Sequence, residues 1–373
     1  MLAAGPGMTG LDRALKISPG NPAYWIRRAD LLDRDLASPS GALEHAAALN
    51  PLDADVWIRL GLDAEAHRDY SRAEAYLVRA ARVSRRYQPR WTLANYYFRR
   101  GAEAPFWNWT RQALELEPEH PAALFQLCWR MRVAPSEIFD KAIPPRRAIR
   151  REYARFLLSQ DRLDAAGPVV RRLLADPQPD DRDLLLEASD RFLAAQKIDL
   201  AAAAWNTLCD RKLLACTSTP ASGSVPLDSA TSAVALGHGF AWHTVETPGI
   251  SVDLRSGLIT AEFSGNEPES AGILWRWIPV HPGTAVRLSF EYQTSGLSPG
   301  SGLTWQVLAA GNAAPLASTP SLSAPGWSPE QLAFEIPAGV EAVRLRLNYS
   351  RPPGKVRIEG SASVRALRIE RTP

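Results

Sequence analysis

A chain of 373 residues with a formal net charge of +3 is long enough for two or three cores, and its charges nearly balance in each half. That balance excludes nucleic acid as an expected partner, since no basic excess is available to hold a polyanion. No run reaches the roughly 18 apolar residues of a membrane span. Three cysteines, Cys128, Cys209 and Cys216, are too few for a disulfide framework. Cys209 and Cys216 lie near enough in sequence to close a small loop, but are read as ordinary thiols.

The opening MLAAGPGMTG lacks the charged and apolar regions of a signal peptide. Its GPGMTG spells the dinucleotide fingerprint, but four preceding residues leave no room for the required strand, so no nucleotide cofactor is expected. The next stretch, LDRALKISPGNP, reads as the second helix of a repeat whose first helix is missing. The expected location is therefore the bacterial cell envelope, periplasmic or anchored, if an export segment lies upstream, and the cytoplasm otherwise.

Ala, Leu and Arg then recur at helical spacing. Around Trp57 the chain reads Trp57, Leu60, Gly61, then Ala73, Leu77 and Ala80, with large and small residues placed for two helices that cross closely. Trp25, Trp57 and Trp91 recur at intervals of 32 and 34 residues. Pro19, Pro51 and Pro118 each end an Ala/Leu-rich stretch, where proline stops a helix. Trp91, Ala94, Asn95 and Phe98 open another unit, with Ala113 and Leu114 in its second helix; Leu124, Leu127, Cys128 and Met131 open a weaker one. Two more helix pairs follow before Leu214.

The pattern resembles the tetratricopeptide repeat, with Ala64 where that family usually has Tyr and Arg85 where it usually has Pro. The resemblance implies an α-solenoid over roughly residues 11–214 that holds a protein partner. A single repeat cannot bury its own apolar face, so Trp25, Trp57 and Trp91 are expected to pack in the array. Trp107 and Trp109 in FWNWT interrupt the pattern, and packing is still the favoured role. Arg85–Arg86, Arg99–Arg100 and PPRRAIRRE are expected to be solvated helix faces.

Between Lys212 and Gly239 the composition shifts from Ala, Leu and Arg to Ser, Thr, Gly and Val. CTSTPASGSVPLDS is rich in turn formers, so residues 215–230 are expected to be a linker between helical repeats at 1–214 and a β-domain at 231–373. VRLSFEYQT alternates Val286, Leu288, Phe290 and Tyr292 with Arg287, Ser289, Glu291 and Gln293. VRLRLNYSR alternates Val343, Leu345, Leu347 and Tyr349 with Arg344, Arg346 and Asn348. Such runs between Pro/Gly turns predict an antiparallel sandwich with one-sided burial. The segment Val280–Phe290, with Val286 where Tyr is usual, and the order of strand motifs around it are similar to a galactose-binding-like jelly roll of the carbohydrate-binding-module type. That resemblance covers roughly residues 228–373.

A saccharide site needs flat aromatic faces for the C–H-rich sides of a sugar and planar polar groups for its hydroxyls. Trp275 and Trp277, two apart on one strand, share a face, which either stacks on sugar or covers a docking surface to the repeats. Arg287, Glu291, Gln293, Arg344, Arg346 and Asn348 are the polar candidates, provided their strands line one concave sheet. Trp242 and Trp305 are expected in the core, and Trp327 is a further aromatic candidate.

Catalytic strings fail on context. Gly296-Leu-Ser298-Pro-Gly300 spells a nucleophile elbow, but a turn and a strand follow instead of a helix. His238 and His243 bring no set of residues at metal-ligand spacing. Glu262, Glu267, Glu269 and Glu291 are carboxylates without a marked pair.

The expected fold is therefore α plus β in separate parts, an N-terminal tetratricopeptide-like α-solenoid followed by an antiparallel jelly-roll sandwich. The expected function is a non-catalytic scaffold or adaptor, without cofactor or metal. Its solenoid binds protein and its sandwich binds glycan, in bacterial envelope or exopolysaccharide assembly. The alternatives are a purely protein–protein scaffold with a structural sandwich and a glycan-active enzyme.

Overall fold

Helix gives way to strand where the composition shifts. The structure, a computed structural model, describes residues 6–116, 119–219, 225–226, 237–255, 257–310 and 314–372. Pro118 and most of the expected linker, including 220–224 and 227–230, lie outside the described residues. The chain gathers into two compact units, Met1–Phe156 and Leu157–Pro373. The last helices thus belong with the strands, although composition groups them with the repeats.

In the first unit, α1 (Pro6–Ile17) is followed by the pairs α2 (Pro22–Arg34)/α3 (Ser40–Leu49), α4 (Ala54–Ala66)/α5 (Tyr70–Val83), α6 (Tyr87–Arg100)/α7 (Glu103–Leu114) and α8 (Ala122–Arg130)/α9 (Pro135–Ala142). Asn21, Asp53 and Asp69 cap α2, α4 and α5 by accepting from backbone N–H groups in the first turns. The turns inside these four pairs each carry a left-handed residue: Leu36, Arg68, Gly101 and Arg132. A Cβ on Gly61 would stand 2.6 Å from Leu77 Cγ and 3.2 Å from the Ala73 carbonyl, so α4 and α5 cross as closely as the small residues imply.

Successive pairs are tied by arginines. Arg59 reaches Asp30 at 2.9 Å, Arg99 chelates Glu65 at 2.6 and 2.8 Å, and the Arg100 guanidinium lies 3.6 Å from the Tyr70 ring centroid. Bidentate pairing of this kind fixes geometry as well as adding energy. Arg85, Arg86 and Arg100 are exposed as expected, whereas Arg147, Arg150 and Arg151 of PPRRAIRRE are half-buried.

Two of the repeat tryptophans, Trp25 and Trp57, pack on an apolar cluster without being enclosed. Trp25 and Trp57 lie against the cluster of Ala29, Leu43, Ala46, Val56 and Leu60. The cause is their indole N–H: Trp25 Nε1 donates to Pro19 O at 2.8 Å and Trp57 Nε1 to Pro51 O at 3.0 Å, both in surface turns. In the third pair Arg85 replaces that proline, and Arg90 donates to Ser84 O and Arg86 O instead. Of the FWNWT pair, Trp107 is buried and Trp109 half-buried.

Helix α10 (Arg147–Ser159) runs into the second unit, where α11 (Leu163–Leu174), α12 (Arg182–Ala194) and α13 (Ile198–Asp210) precede the strands. One correction concerns the cysteines read as thiols. Cys209 and Cys216 form a disulfide, with Cα atoms 5.0 Å apart, because α13 ends between them and the chain doubles back. The returning segment lies along α13: Trp205 Nε1 donates to Thr217 O at 3.0 Å and Thr219 N to Asn206 Oδ1 at 2.7 Å. Replacing both cysteines by serine is expected to lower stability by about 2 kcal/mol, as the short loop implies; denaturant titration with and without reductant checks it.

The sandwich has two antiparallel sheets. The first runs β3 (Ile250–Arg255), β4 (Leu258–Ser264), β11 (Glu359–Arg371), β6 (Ala285–Ser295), β9 (Ser328–Glu335), with β1 (Val225–Pro226) on the end of β11. The second runs β2 (His243–Thr244), β5 (Ser270–Pro279), β10 (Ala342–Ser350), β7 (Leu303–Ala309), β8 (Ala317–Ser318). From β4 to β7, and again from β8 to β11, the chain changes sheet at every connection, the jelly-roll path. Val286, Leu288, Phe290 and Tyr292 meet Val343, Leu345, Leu347 and Tyr349 in one core, with Trp242 and Trp305 enclosed among them.

Candidate functional site

The outward face of the second sheet presents the expected tryptophans. Pairing of β5 with β10 shifts register at Leu347/Asn348, so that Ile273 is an extra residue on β5. A bulge of this kind reverses the side-chain phase. Ala271 and Ile273 point inward before it, and Leu274, Arg276 and Ile278 point inward after it, leaving Trp275 and Trp277 outward and half-buried.

Register then lines up one polar–aromatic row across the sheet. His243 stands opposite Trp275, Trp275 opposite Arg346, Arg346 opposite Gln306, and Gln306 opposite Ser318. The His243 and Trp275 rings stack at 3.7 Å and 10°. Trp277 meets Trp275 edge-on at 6.2 Å. The Arg344 guanidinium lies 5.5 Å from the Trp275 ring centroid and 5.9 Å from that of Trp277. Arg346 donates to Gln306 Oε1 at 2.7 Å. Among the described residues no acceptor meets the enclosed Nε–H groups of Arg344 and Arg346. The tryptophans are half-buried, and two outward positions flanking the central row on opposite sides are covered: Leu308, opposite Arg344, is 1% exposed and Asn348, opposite Gly272, is 7% exposed.

Burial, opposed in part by the Gly239 carbonyl, holds His243 below the usual imidazole range, so at neutral pH it stacks as a neutral ring. Burial first, and Arg344 second, lower the Arg346 guanidinium. Arg276, on the inward face as its phase requires, lies 5.9 Å from the Trp242 ring centroid, and burial pushes it down to about 10.

His243 is held from behind. It donates Nε2–H to Gly239 O at 3.2 Å. Gly239 N donates to Asp190 Oδ1 and His238 Nδ1 to Asp190 Oδ2, both at 2.6 Å. Phe240 meets the enclosed Trp205 edge-on. Helices α12 and α13 therefore buttress the edge strand that carries the histidine.

The eight expected site residues do not form one surface. Trp275, Trp277, Arg344, Arg346 and Asn348 share the second sheet's outward face. Arg287, Glu291 and Gln293 lie on β6, outward from the first sheet. Both inward faces meet in one core, so the two outward faces point in opposite directions. The condition of a single concave sheet is not met. On the first sheet Glu291 pairs with Arg365 at 2.8 Å, and Arg365 lies 4.0 Å from the centroid of the exposed Trp327. His243 and Gln306 join the strip only through register; the alternation of Gln306 with inward Trp305 in GLTWQV was the one available signal.

The remaining carboxylates have structural partners. Glu269 chelates Arg351 at 2.6 Å, Glu262 accepts from Ser251, and buried Glu267 accepts from the Ile358 backbone at 2.9 Å. Among the described residues no group of three or more His, Cys, Asp or Glu is placed to hold a metal, and no helix is long and apolar enough to cross a membrane.

The class defined by this architecture is a set of stacked helix pairs followed by an antiparallel β-sandwich. No family model matches the chain, and no curated protein matches it. Among solved structures it is similar to YrrB, a tetratricopeptide-repeat protein with an unusual peptide-binding site: 14% identity, 54% of this chain and 91% of that one, TM-score 0.28. PilW, a type IV pilus biogenesis factor, matches at 15% identity over 55% of this chain and 84% of its own, TM-score 0.28. A carbohydrate-binding module from Cellvibrio mixtus lichenase 5A, solved with cellotriose, matches at 12% identity over 36% of this chain and 98% of its own, TM-score 0.24. At such scores the architecture is read from this chain's own helix pairs and sheets.

Proposed function

We propose that the protein is a non-catalytic adaptor whose helix pairs hold a protein partner and whose sandwich holds a polysaccharide. The observation that carries this reading is the outward strip of His243, Trp275 and Trp277 beside Gln306 and Arg346, flat rings next to planar donors and acceptors. A core strand has no need of two outward tryptophans. The Cys209–Cys216 disulfide supports an oxidising compartment, hence a place in the bacterial envelope and in polysaccharide assembly there. The burial of Leu308 and Asn348 on the same face favours a second reading, in which the sandwich is structural and the protein is purely a protein–protein scaffold.

Calorimetric titration of the full chain with bacterial exopolysaccharides separates the two. Trp275→Ala is expected to weaken binding by about 2 kcal/mol, roughly thirtyfold, with an unchanged melting curve. Equal binding by the variant would remove the strip from the site, and binding of no polysaccharide would leave the scaffold reading.

A further inference from the structure

We propose that the saccharide recognised by this strip is acidic, a carboxylate-bearing polysaccharide of the uronate type. The inference deepens the glycan reading and rests on it.

On the first sheet and at the sandwich ends, three arginines have carboxylate partners: Arg365 with Glu291 at 2.8 Å, Arg351 with Glu269 at 2.6 Å and Arg255 with Asp253 at 3.0 Å. On the strip, Arg344 and Arg346 have no ion pair among the described residues, and Arg346 has only the neutral Gln306. The outward positions of β5, β10 and β7 between Gly272 and Leu308 include no Asp or Glu. Two guanidinium groups, two residues apart on one strand face, are therefore half-buried without a counter-charge among the described residues.

A neutral sugar offers these groups hydroxyl acceptors but no counter-charge, so enclosing two cations under it removes their water and returns only neutral-acceptor hydrogen bonds. A carboxylate reverses that balance. It accepts from a guanidinium fork in a bidentate pair, and the pair strengthens as water leaves. The rings of Trp275 and Trp277 take the C–H face of the same sugar. The two cations thus select against neutral chains as well as for acidic ones.

The test titrates the full chain with polygalacturonate, alginate and hyaluronan, each beside its carboxyl-reduced form, which keeps the backbone and removes the charge. Binding of at least one acidic form, on the order of tenfold or more tighter than its reduced form and weakened by salt, is the expected result. Arg344→Gln and Arg346→Gln should each lower the acidic affinity about tenfold and the affinity for the reduced form by clearly less, so that the preference for the acidic form narrows. Their melting curves and the effect of Trp275→Ala control for folding. Equal affinity for acidic and reduced forms overturns the acidic assignment and leaves the glycan reading standing. Binding of neither form overturns the acidic assignment, and the exopolysaccharide titration then decides the glycan reading. Capture of a single-stranded oligonucleotide in place of every polysaccharide overturns the saccharide assignment, since stacked rings and arginines also suit bases.

Discussion

Gly239→Ala is expected to destabilise the second unit by about 3–4 kcal/mol and to weaken the glycan binding proposed for the strip. Gly239 has φ +54, a conformation that costs a side-chain-bearing residue about 1–2 kcal/mol. Its added Cβ would also press on the Trp205 ring, 2.6 Å from Cζ3, and stand 3.1 Å from Ser189 Oγ. That ring cannot retreat. It is 1% exposed, its Nε1 is tied to Thr217 O, and its face is set by Phe240. Overpacking an enclosed site adds about 1–3 kcal/mol. Because Gly239 O accepts from His243, displacement there also disturbs the ring stacked on Trp275. Gly237→Ala is the matched control: φ is +66, but no described residue lies within 4 Å of the added Cβ, so only the backbone cost of about 1 kcal/mol is expected. Denaturant titrations of the two variants measure the difference. Equal losses would show that Trp205 yields and that the clasp is soft.

Trp57→Ala is expected to cost about 3 kcal/mol, the lower end of the range for truncating a buried aromatic residue. The ring packs against the cluster of Val56, Leu60 and Ala46 and tilts over Tyr76 at 5.7 Å. Its Nε1 donates to the Pro51 carbonyl in an exposed turn, where water replaces it at little cost. Trp57→Phe should therefore lose less than about 1 kcal/mol. A comparable loss for Trp25→Ala, which keeps the same bond to Pro19, would show the two repeats to be equivalent in energy as in geometry. A loss below about 1 kcal/mol for Trp57→Ala would show that the ring packs too loosely to hold the repeat.

Several features were legible because they depend on local period. Gly61 and Ala73 mark the helix crossing, since only small residues allow that approach. The alternation of Val286 to Tyr292 and of Val343 to Tyr349 sorts inward from outward, since a pleated strand turns every second side chain to one face. Trp275 and Trp277 are outward by the same rule, although the rule holds there only because the bulge at Ile273 resets the phase.

What the sequence determined by itself is thus the helix pairs, the strands and the polarity of each face, because these follow from spacing along the chain. Tertiary structure alone decided which faces coincide. Arg287, Glu291 and Gln293 have the same alternation as Arg344, Arg346 and Asn348, yet sheet order places them on opposite sides of the sandwich. His243 reaches Trp275, and Cys209 reaches Cys216, through an edge pairing and a chain reversal that have no periodic signature. The uncompensated charge of Arg344 and Arg346 is of the same kind. A guanidinium lacks a counter-ion only relative to its neighbours in space, and those neighbours come from strands up to about seventy residues away in the chain.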